Sequence, residues 1–381
     1  MEYFLLPMDD IQVMVNYASF ASKQACKEYH AIFTITDSGL ETKRQIANVN
    51  AAIGRFSNDI LEGKAALIWR RCFLSDPVNQ ISLLNTNLPE AVSITGQAPL
   101  NHTKMIMMCY FVEDAKVDKN DEATVMKRPG YEHYYYMGMN DTASPDEYIQ
   151  SVNVFNAIRK SMKNNDMSFS NDLVRTWIFV NDVDNRYAGM VKARNEVFQE
   201  EGLTEHTHFI ASTGIEGIFS NPKALAFMDA YAIKGLNPGQ ITFLKALEYL
   251  SPTAKYGVAF ERGTSIEYGD RKHLFISGTA SIDKFGDIVY PMDIVSQAKR
   301  TLQNISALLE EGGANLATDL THLIVYLRDM ADYETVKHFI EDELPEIPKM
   351  YMKAPVCRPA WLIEMECSAI IENSNAAFKP F

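Results

Sequence analysis

Pro145–Met162 reads PDEYIQSVNVFNAIRKSM, and Met292–Leu309 reads MDIVSQAKRTLQNISALL. The two stretches align without a gap, placing Asp146 on Asp293, Gln150 on Gln297 and Ile158 on Ile305. The same offset carries Asp172 onto Asp319 and Asp182 onto Asp329, across strand-like runs that end in aspartate (TWIFVND, LIVYLRD). A fainter third copy begins at Thr42–Phe56 (TKRQIANVNAAIGRF), and Ala66–Asp76 (ALIWRRCFLSD) again closes a β-rich run on aspartate. Self-similarity over such lengths means that one supersecondary unit is used more than once.

Each copy reads strand, helix, strand, helix, strand. In the last one His273–Ser281 is β-rich and Gly286 closes a turn in DKFGD. Ile294, Ala298, Thr301, Leu302, Ile305 and Leu309 then form one helical stripe. Leu320–Leu327 follows as a strand, Tyr333–Leu344 as a second amphipathic helix, and Trp361–Ile371 as the closing strand. The expected units are 1–122, 123–258 and 259–381, with Lys234–Gly263 as a packed connector. Such a βαβαβ unit is α+β, with both helices on one sheet face. The opposite face must be covered by something. Three units in one chain can cover each other's, giving sheets around a pseudo-threefold axis with helices outside.

The chain has 381 residues, 47% of them apolar, enough for several cores and too many for wholesale disorder. It carries 36 basic against 49 acidic side chains, and the net charge of −13 argues against a nucleic-acid surface. No apolar run reaches the roughly 18 residues of a membrane span, and MEYFLLPMDD lacks the basic start of a signal peptide. Five cysteines at irregular spacing, with no CxxC, read as reduced thiols of a cytoplasmic protein. His206 and His208 share one strand face but bring no third ligand, so no metal is expected. Gly214 and Gly217 in TGIEG lack the lysine of a phosphate loop and read as turn formers. No cofactor fingerprint occurs.

Alternation along the closing strand puts Trp361, Ile363, Met365 and Cys367 on one face and Leu362, Glu364, Glu366 and Ser368 on the other. The apolar face belongs under the helices, which sends two carboxylates toward the inter-unit face. Neighbouring acids in a desolvated site raise each other's pKa, as general acid/base work near neutrality requires. From periodicity alone the same pair reads first as solvated edge residues or ion-pair partners. The second unit has Phe227 and Asp229 at the matching places, and the first unit's Lys104–Val112 has no acid.

Phe275-Ile276-Ser277-Gly278, the helix with Gln297 and Asn304, Val325–Asp329 and Leu362–Glu366 resemble the YjgF/RidA family. Arg175-Thr176-Trp177, Asn185-Arg186-Tyr187, Lys192–Asn195, Ser212–Gly217, Ser277–Ile282 and Cys357-Arg358 resemble the chorismatase family, which is built on a RidA-like framework. The resemblance implies a RidA-like, chorismate-mutase-like fold and a site for a small anionic metabolite between units. It implies Glu364 as the acid/base group, helped by Glu366, with Arg358, Lys349 and Arg194 holding carboxylates and Tyr351 and Cys357 beside them. Lys349 and Lys337 stand where RidA proteins carry arginine and asparagine, which counts against ordinary imine deamination. The activity expected is hydrolysis or elimination on an enol ether or imine. A binding protein without chemistry is the rival reading, and an endoribonuclease the weaker one. The chain would act as an internal pseudo-trimer, alone or in a homo-oligomer.

Overall fold

The computed structural model describes residues 1–22, 26–120 and 122–381. The chain opens with β1 (Glu2–Met8), β2 (Val13–Phe20) and β3 (Glu28–Ile35), then α1 (Thr42–Arg55) and β4 (Ala65–Leu74). A single turn, α2 (Pro77–Gln80), leads to β5 (Ala91–Gly96), the short β6 (Ala98–Pro99) and β7 (Met105–Glu113). Next come β8 (Lys116–Lys119), β9 (Thr124–Arg128), β10 (Tyr131–Asn140), α3 (Glu147–Asn164) and the one-turn α4 (Phe169–Asp172). β11 (Leu173–Val180), α5 (Val183–Glu200), β12 (Ala211–Glu216) and β13 (Ala226–Lys234) follow. The last part holds β14 (Ile241–Leu244), β15 (Gly263–Glu267), β16 (Arg271–Ala280) and α6 (Ile294–Glu311). It ends with β17 (Leu320–Leu327), α7 (Tyr333–Glu343), β18 (Lys349–Lys353) and β19 (Ile363–Glu372).

These strands form three mixed sheets with one shared order. It runs β1-β2-β3-β7-β4-β5 in the first, β8-β9-β10-β13-β11-β12 in the second and β14-β15-β16-β19-β17-β18-β6 in the third. In each, the closing strand (β7, β13, β19) lies between the first and middle strands, and the middle strand carries a parallel edge partner (β5, β12, β18). The βαβαβ reading therefore counts too few strands. It omits the antiparallel pair that leads into each unit and the parallel edge strand, whose short runs give a weak alternation signal. The first unit also has, in place of a second long helix, the single turn α2, capped by Asp76 with Pro77 at its first position and followed by a 3-10 turn at Ile81–Leu83.

The repeated residues have repeated jobs. Asp146 and Asp293 are the N-caps of α3 and α6, accepting from the amides of Ile149 (2.8 Å) and Ser296 (3.0 Å). Gln150 and Gln297, one turn into those helices, each accept from the backbone at the closing strand, at Leu225 N (2.7 Å) and Leu362 N (2.9 Å). Gln45 of α1 does the same to Lys104 N at 2.8 Å, so the faint third copy keeps the strap that ties its helix to β7. Asp172 and Asp319 accept from the amides of Ser168 and Asn315 at the turns before the middle strands.

The faces that carry α1 and the pair α3 and α5 have their own apolar cores, around Phe33, Val49 and Phe111 in the first sheet and Phe155, Ile158 and Phe198 in the second. Residues of all three sheets share a further core, among them Met108, Tyr231 and Ile276. Backbone bonds also tie the three parts of the chain together. Gly96 N donates to Ile218 O at 2.7 Å, Glu261 N to Ile210 O at 2.9 Å, and β6, which follows the first sheet's β5, joins the third sheet beside β18 through Pro99 and Met352. The connector contributes β14 to the third sheet. Gly286 does close the turn of DKFGD, with φ +94° that only glycine adopts without strain. His206 and His208 are not on a strand: they lie in an irregular loop, His206 exposed and His208 stacked on Phe243 at 4.0 Å. No helix among the described residues is long and apolar enough to cross a membrane.

Candidate active site

The bulge in β16 shapes the site. Pairing with β19 slips between Ile276 and Thr279, and the displaced Gly278 sits under the Glu364 carboxyl. A Cβ on Gly278 would lie 2.1 Å from Glu364 Oε1, so glycine is what leaves room for that carboxyl. Gly278→Ala is expected to push Glu364 off its position and to cut any activity that depends on it by more than it lowers the melting temperature. Parallel activity and thermal-denaturation measurements check this.

Glu364 is 5% exposed and faces a pocket of about 530 Å³ between the second and third sheets. Across it stand Tyr187 and Arg194 of α5, Gly214 of β12 and the side chains of Arg262, Cys357 and Arg358. Burial, seconded by the Glu366 charge and opposed by Arg175 and Arg262, raises the Glu364 pKa to about 8. At neutral pH its carboxyl is therefore predominantly protonated, a proton donor in a partly dry cleft.

Glu366 has a different fate. Arg175 Nη2 donates to its Oε2 at 2.7 Å, the Thr213 hydroxyl donates to the same oxygen, and the Tyr326 hydroxyl donates to Oε1 at 2.8 Å. Both partners of this ion pair are buried. Its oxygens are committed to protein donors, and its charge helps to keep Glu364 protonated.

Arg194 is 1% exposed, and its Nε and Nη2 have no hydrogen-bond partner among the described residues. The Phe260 ring lies 5.6 Å away and offers only a π-face. A buried guanidinium with idle donors pointing into a cavity is built for an anion, because leaving it unpaired is costly. Arg262 donates to Ser251 O at 3.1 Å, and the Arg358 guanidinium rides 5.1 Å from the Trp361 ring. Burial, then the Glu364 charge, pushes the Cys357 thiol up to about 12, so it is a neutral group hydrogen-bonded with Tyr187.

The structure thus brings Glu364, Arg194, Arg358 and Cys357 together, with Glu366 behind them. It does not bring Lys349 or Tyr351 to this pocket. Both lie on β18, and β17 stands between that strand and β19, which separates them from Glu364's strand by about 10 Å. Lys349 Nζ donates to Pro345 O at 3.5 Å, and burial lowers its pKa. Tyr351 is buried with its ring 5.6 Å from Tyr333 and its hydroxyl without a hydrogen bond among the described residues. Lys337, on α7, lies near the same Tyr333 ring.

Tyr187 and Arg262 line the pocket and Arg175 holds Glu366, placements that the sequence did not assign. Tyr187 and Arg175 stand inside motifs that signalled a family without specifying roles, and Arg262 had no local signal. Gly214 and Gly217 are not turn formers. Neither has positive φ, and their missing side chains admit Tyr187 (3.2 Å from a Gly214 Cβ) and Phe179 (2.8 Å from a Gly217 Cβ).

Comparison with known proteins fits this geometry. The endoribonuclease L-PSP family model matches residues 264–371. A RutC family protein of Pyrococcus abyssi is 34% identical over 101 residues, 26% of this chain and 79% of that protein. A chorismatase of Streptomyces rapamycinicus is 27% identical over 214 residues, 51% of this chain and 63% of that enzyme. The crystal structure of a chorismatase superposes with a TM-score of 0.64 over 80% of this chain and 92% of that one, at 16% identity, a likeness of fold. With the shared sheet order, the helix straps and these relatives together, the chain belongs to the YjgF/RidA superfamily and has chorismatase-like architecture.

Proposed function

We propose that this protein is a hydrolase or lyase acting on a small carboxylate-bearing metabolite, an enol ether or an imine, in the cleft between its second and third sheets. The observation that carries the reading is the pairing of a protonated Glu364 with the unpartnered, buried Arg194 across one pocket. Arg194, with Arg358 and Arg262, would hold the substrate carboxylates. Glu364 would deliver its proton to the terminal CH₂ carbon of an enolpyruvyl ether. Water adding to the resulting cation, with its proton passing back to the Glu364 carboxylate, would give a hemiketal, whose collapse releases pyruvate and the free alcohol. With an imine the same carboxyl would manage the proton of the attacking water. Glu366 is proposed to keep Glu364 protonated, with no direct part in the chemistry.

The same reading has three RidA-like units, close to 1–122, 123–258 and 259–381, set around a pseudo-threefold axis with the long helices outside. Supporting it are the common strand order, the backbone bonds Gly96–Ile218 and Glu261–Ile210, and the passage of β6 from the first part of the chain into the third sheet. Glu364's counterparts in the other two units are Phe227 and an apolar stretch of β7, so chemistry is confined to one cleft of the three.

Incubating the protein with chorismate, 2-iminopropionate and RNA, with mass-spectrometric readout, tests the reading. Turnover of one of the two small acids is expected. Binding of a small carboxylate without turnover would make the protein a binder, and cleavage of RNA alone would make it a nuclease. On the substrate found, Arg194→Met is expected to raise KM by about 10–100-fold, the worth of a charge-assisted hydrogen bond, while kcat changes less. The same variant is expected to melt at a higher temperature than the parent, since it removes an unpaired buried charge.

A further inference from the structure

A second cavity, about 590 Å³ of atom-free space, lies where the three sheets meet, away from Glu364. All three sheets line it, with His30, Trp69 and Arg71 from the first, Trp177 and Tyr231 from the second and His322 from the third. Arg71, Arg175 and His322 all stand on middle strands, Arg175 and His322 at the matching place opposite Tyr231 and Ser368 of their closing strands, and Arg71 two residues beyond it, opposite Met108. Their partnerships differ. Arg175 is saturated by Glu366 and its neighbours, and His322 Nδ1 pairs with the Thr321 hydroxyl at 2.8 Å. Arg71 is 5% exposed and reaches Asp229 only at 3.4 Å. Its Nε and Nη2, and the facing Oδ2 of Asp229, make no hydrogen bond among the described residues, while Asp229 Oδ1 is taken by Gly138 N at 2.8 Å.

The surroundings of that guanidinium are aromatic. Its carbon lies 3.7 Å from the Trp177 ring centroid and 5.7 Å from that of Trp69. His30, stacked on Tyr110 at 4.5 Å, lines the same space with its Nδ1 unpartnered. Burial lowers the His30 pKa to about 3, so the ring is neutral and can serve a ligand as donor or acceptor.

We propose that this chamber is a second ligand site, taking a small aromatic carboxylate whose ring packs on the indole and phenol walls and whose carboxylate meets Arg71 and His30. A planar carboxylate matches the two idle guanidinium donors bidentately. Aromatic and aliphatic groups make up most of the chamber's exposed wall, as is usual for ligand pockets, with Glu28, held by Arg271 and His273, among its polar members.

Of the chain's three tryptophans, Trp69 and Trp177 line the chamber, and Trp361 lines the other pocket. Intrinsic fluorescence of the full chain carrying Trp361→Phe therefore reports the chamber. Titration with benzoate is expected to give a saturable change, weakened about tenfold or more by Arg71→Met, the loss of a charge-assisted contact, and retained in Arg194→Met. No saturable change overturns the proposal, and so does a change that survives Arg71→Met or vanishes in Arg194→Met. Should Arg71→Met fail to fold, Arg71→Met/Asp229→Asn removes both charges of the loose pair and takes its place. Crystals grown with 4-bromobenzoate give a second reading: an anomalous peak is expected between Trp177 and His30, and a peak only beside Arg194, or none, overturns the site. None of these readouts depends on turnover at Glu364, so the two sites fail separately.

Discussion

Glu364→Gln is expected to lower turnover by about 10²–10⁴-fold, the usual contribution of a general acid or base, while substrate affinity changes little. Glutamine keeps the shape of the side chain above Gly278 and its hydrogen-bonding capacity, but has no proton to give. Steady-state kinetics on the substrate found by the screen checks this, and an unaltered kcat would remove Glu364 from the mechanism. The wild-type pH profile carries the same information. Glu364 acts while protonated, so enol-ether turnover should fall as pH rises through about 8.

Stability shares that titration. The folded pKa of about 8 lies above the ordinary 4.5, so between those values the native state keeps a proton that the unfolded chain has lost. Stability then declines as pH rises through the window, by at most about 1.4 kcal/mol per pH unit from this one group, and levels off above it. Glu364→Gln abolishes this contribution. The variant should gain on the wild type as pH rises, reaching its largest advantage above pH about 8. Denaturant titrations at several pH values resolve the difference.

Arg175→Met is expected to destabilise the fold by about 3–5 kcal/mol, because it leaves the Glu366 carboxylate buried without its cation. Burial lowers the Arg175 pKa to about 10, which still leaves it charged at neutral pH. The double variant Arg175→Met/Glu366→Leu should recover much of the loss, since replacing both partners by apolar groups removes the uncompensated charge. Guanidinium denaturation at pH 7 distinguishes this coupled pair from two independent contributions. Arg175 also pulls the Glu364 pKa down. Its loss should therefore shift the acid-dependent limb of any surviving activity to higher pH.

The local code was legible because its signals lie close together along the chain. Asp146, Asp293, Gln150 and Gln297 recur at fixed spacing since a cap and a strap act within one or two turns of a helix start. Alternation along the closing strand correctly put Glu364 and Glu366 on the face away from the helices. Strand edges were harder to see. β18 and the leading pairs of the second and third sheets run for only four or five residues each, too few for alternation to stand out.

Sequence by itself determined the repeat, the α+β units, the capping residues and the face on which the closing-strand carboxylates stand, because each follows from periods of 2 and 3.6 residues. The tertiary structure alone decided what those carboxylates do. Glu364 and Glu366 are two residues apart on one strand, yet one meets Arg175, Thr213 and Tyr326 while the other faces Arg194 across an open pocket. Arg175 and Thr213 belong to the second sheet and Arg194 to α5, and docking of these elements on the third sheet set which carboxyl was neutralised by a cation and which was left to hold its proton. Lys349 shows the converse. Its spacing from Glu364 is the one the family resemblance called for, but β17 lies between their strands, and distance in space rather than along the chain governs an electrostatic contact.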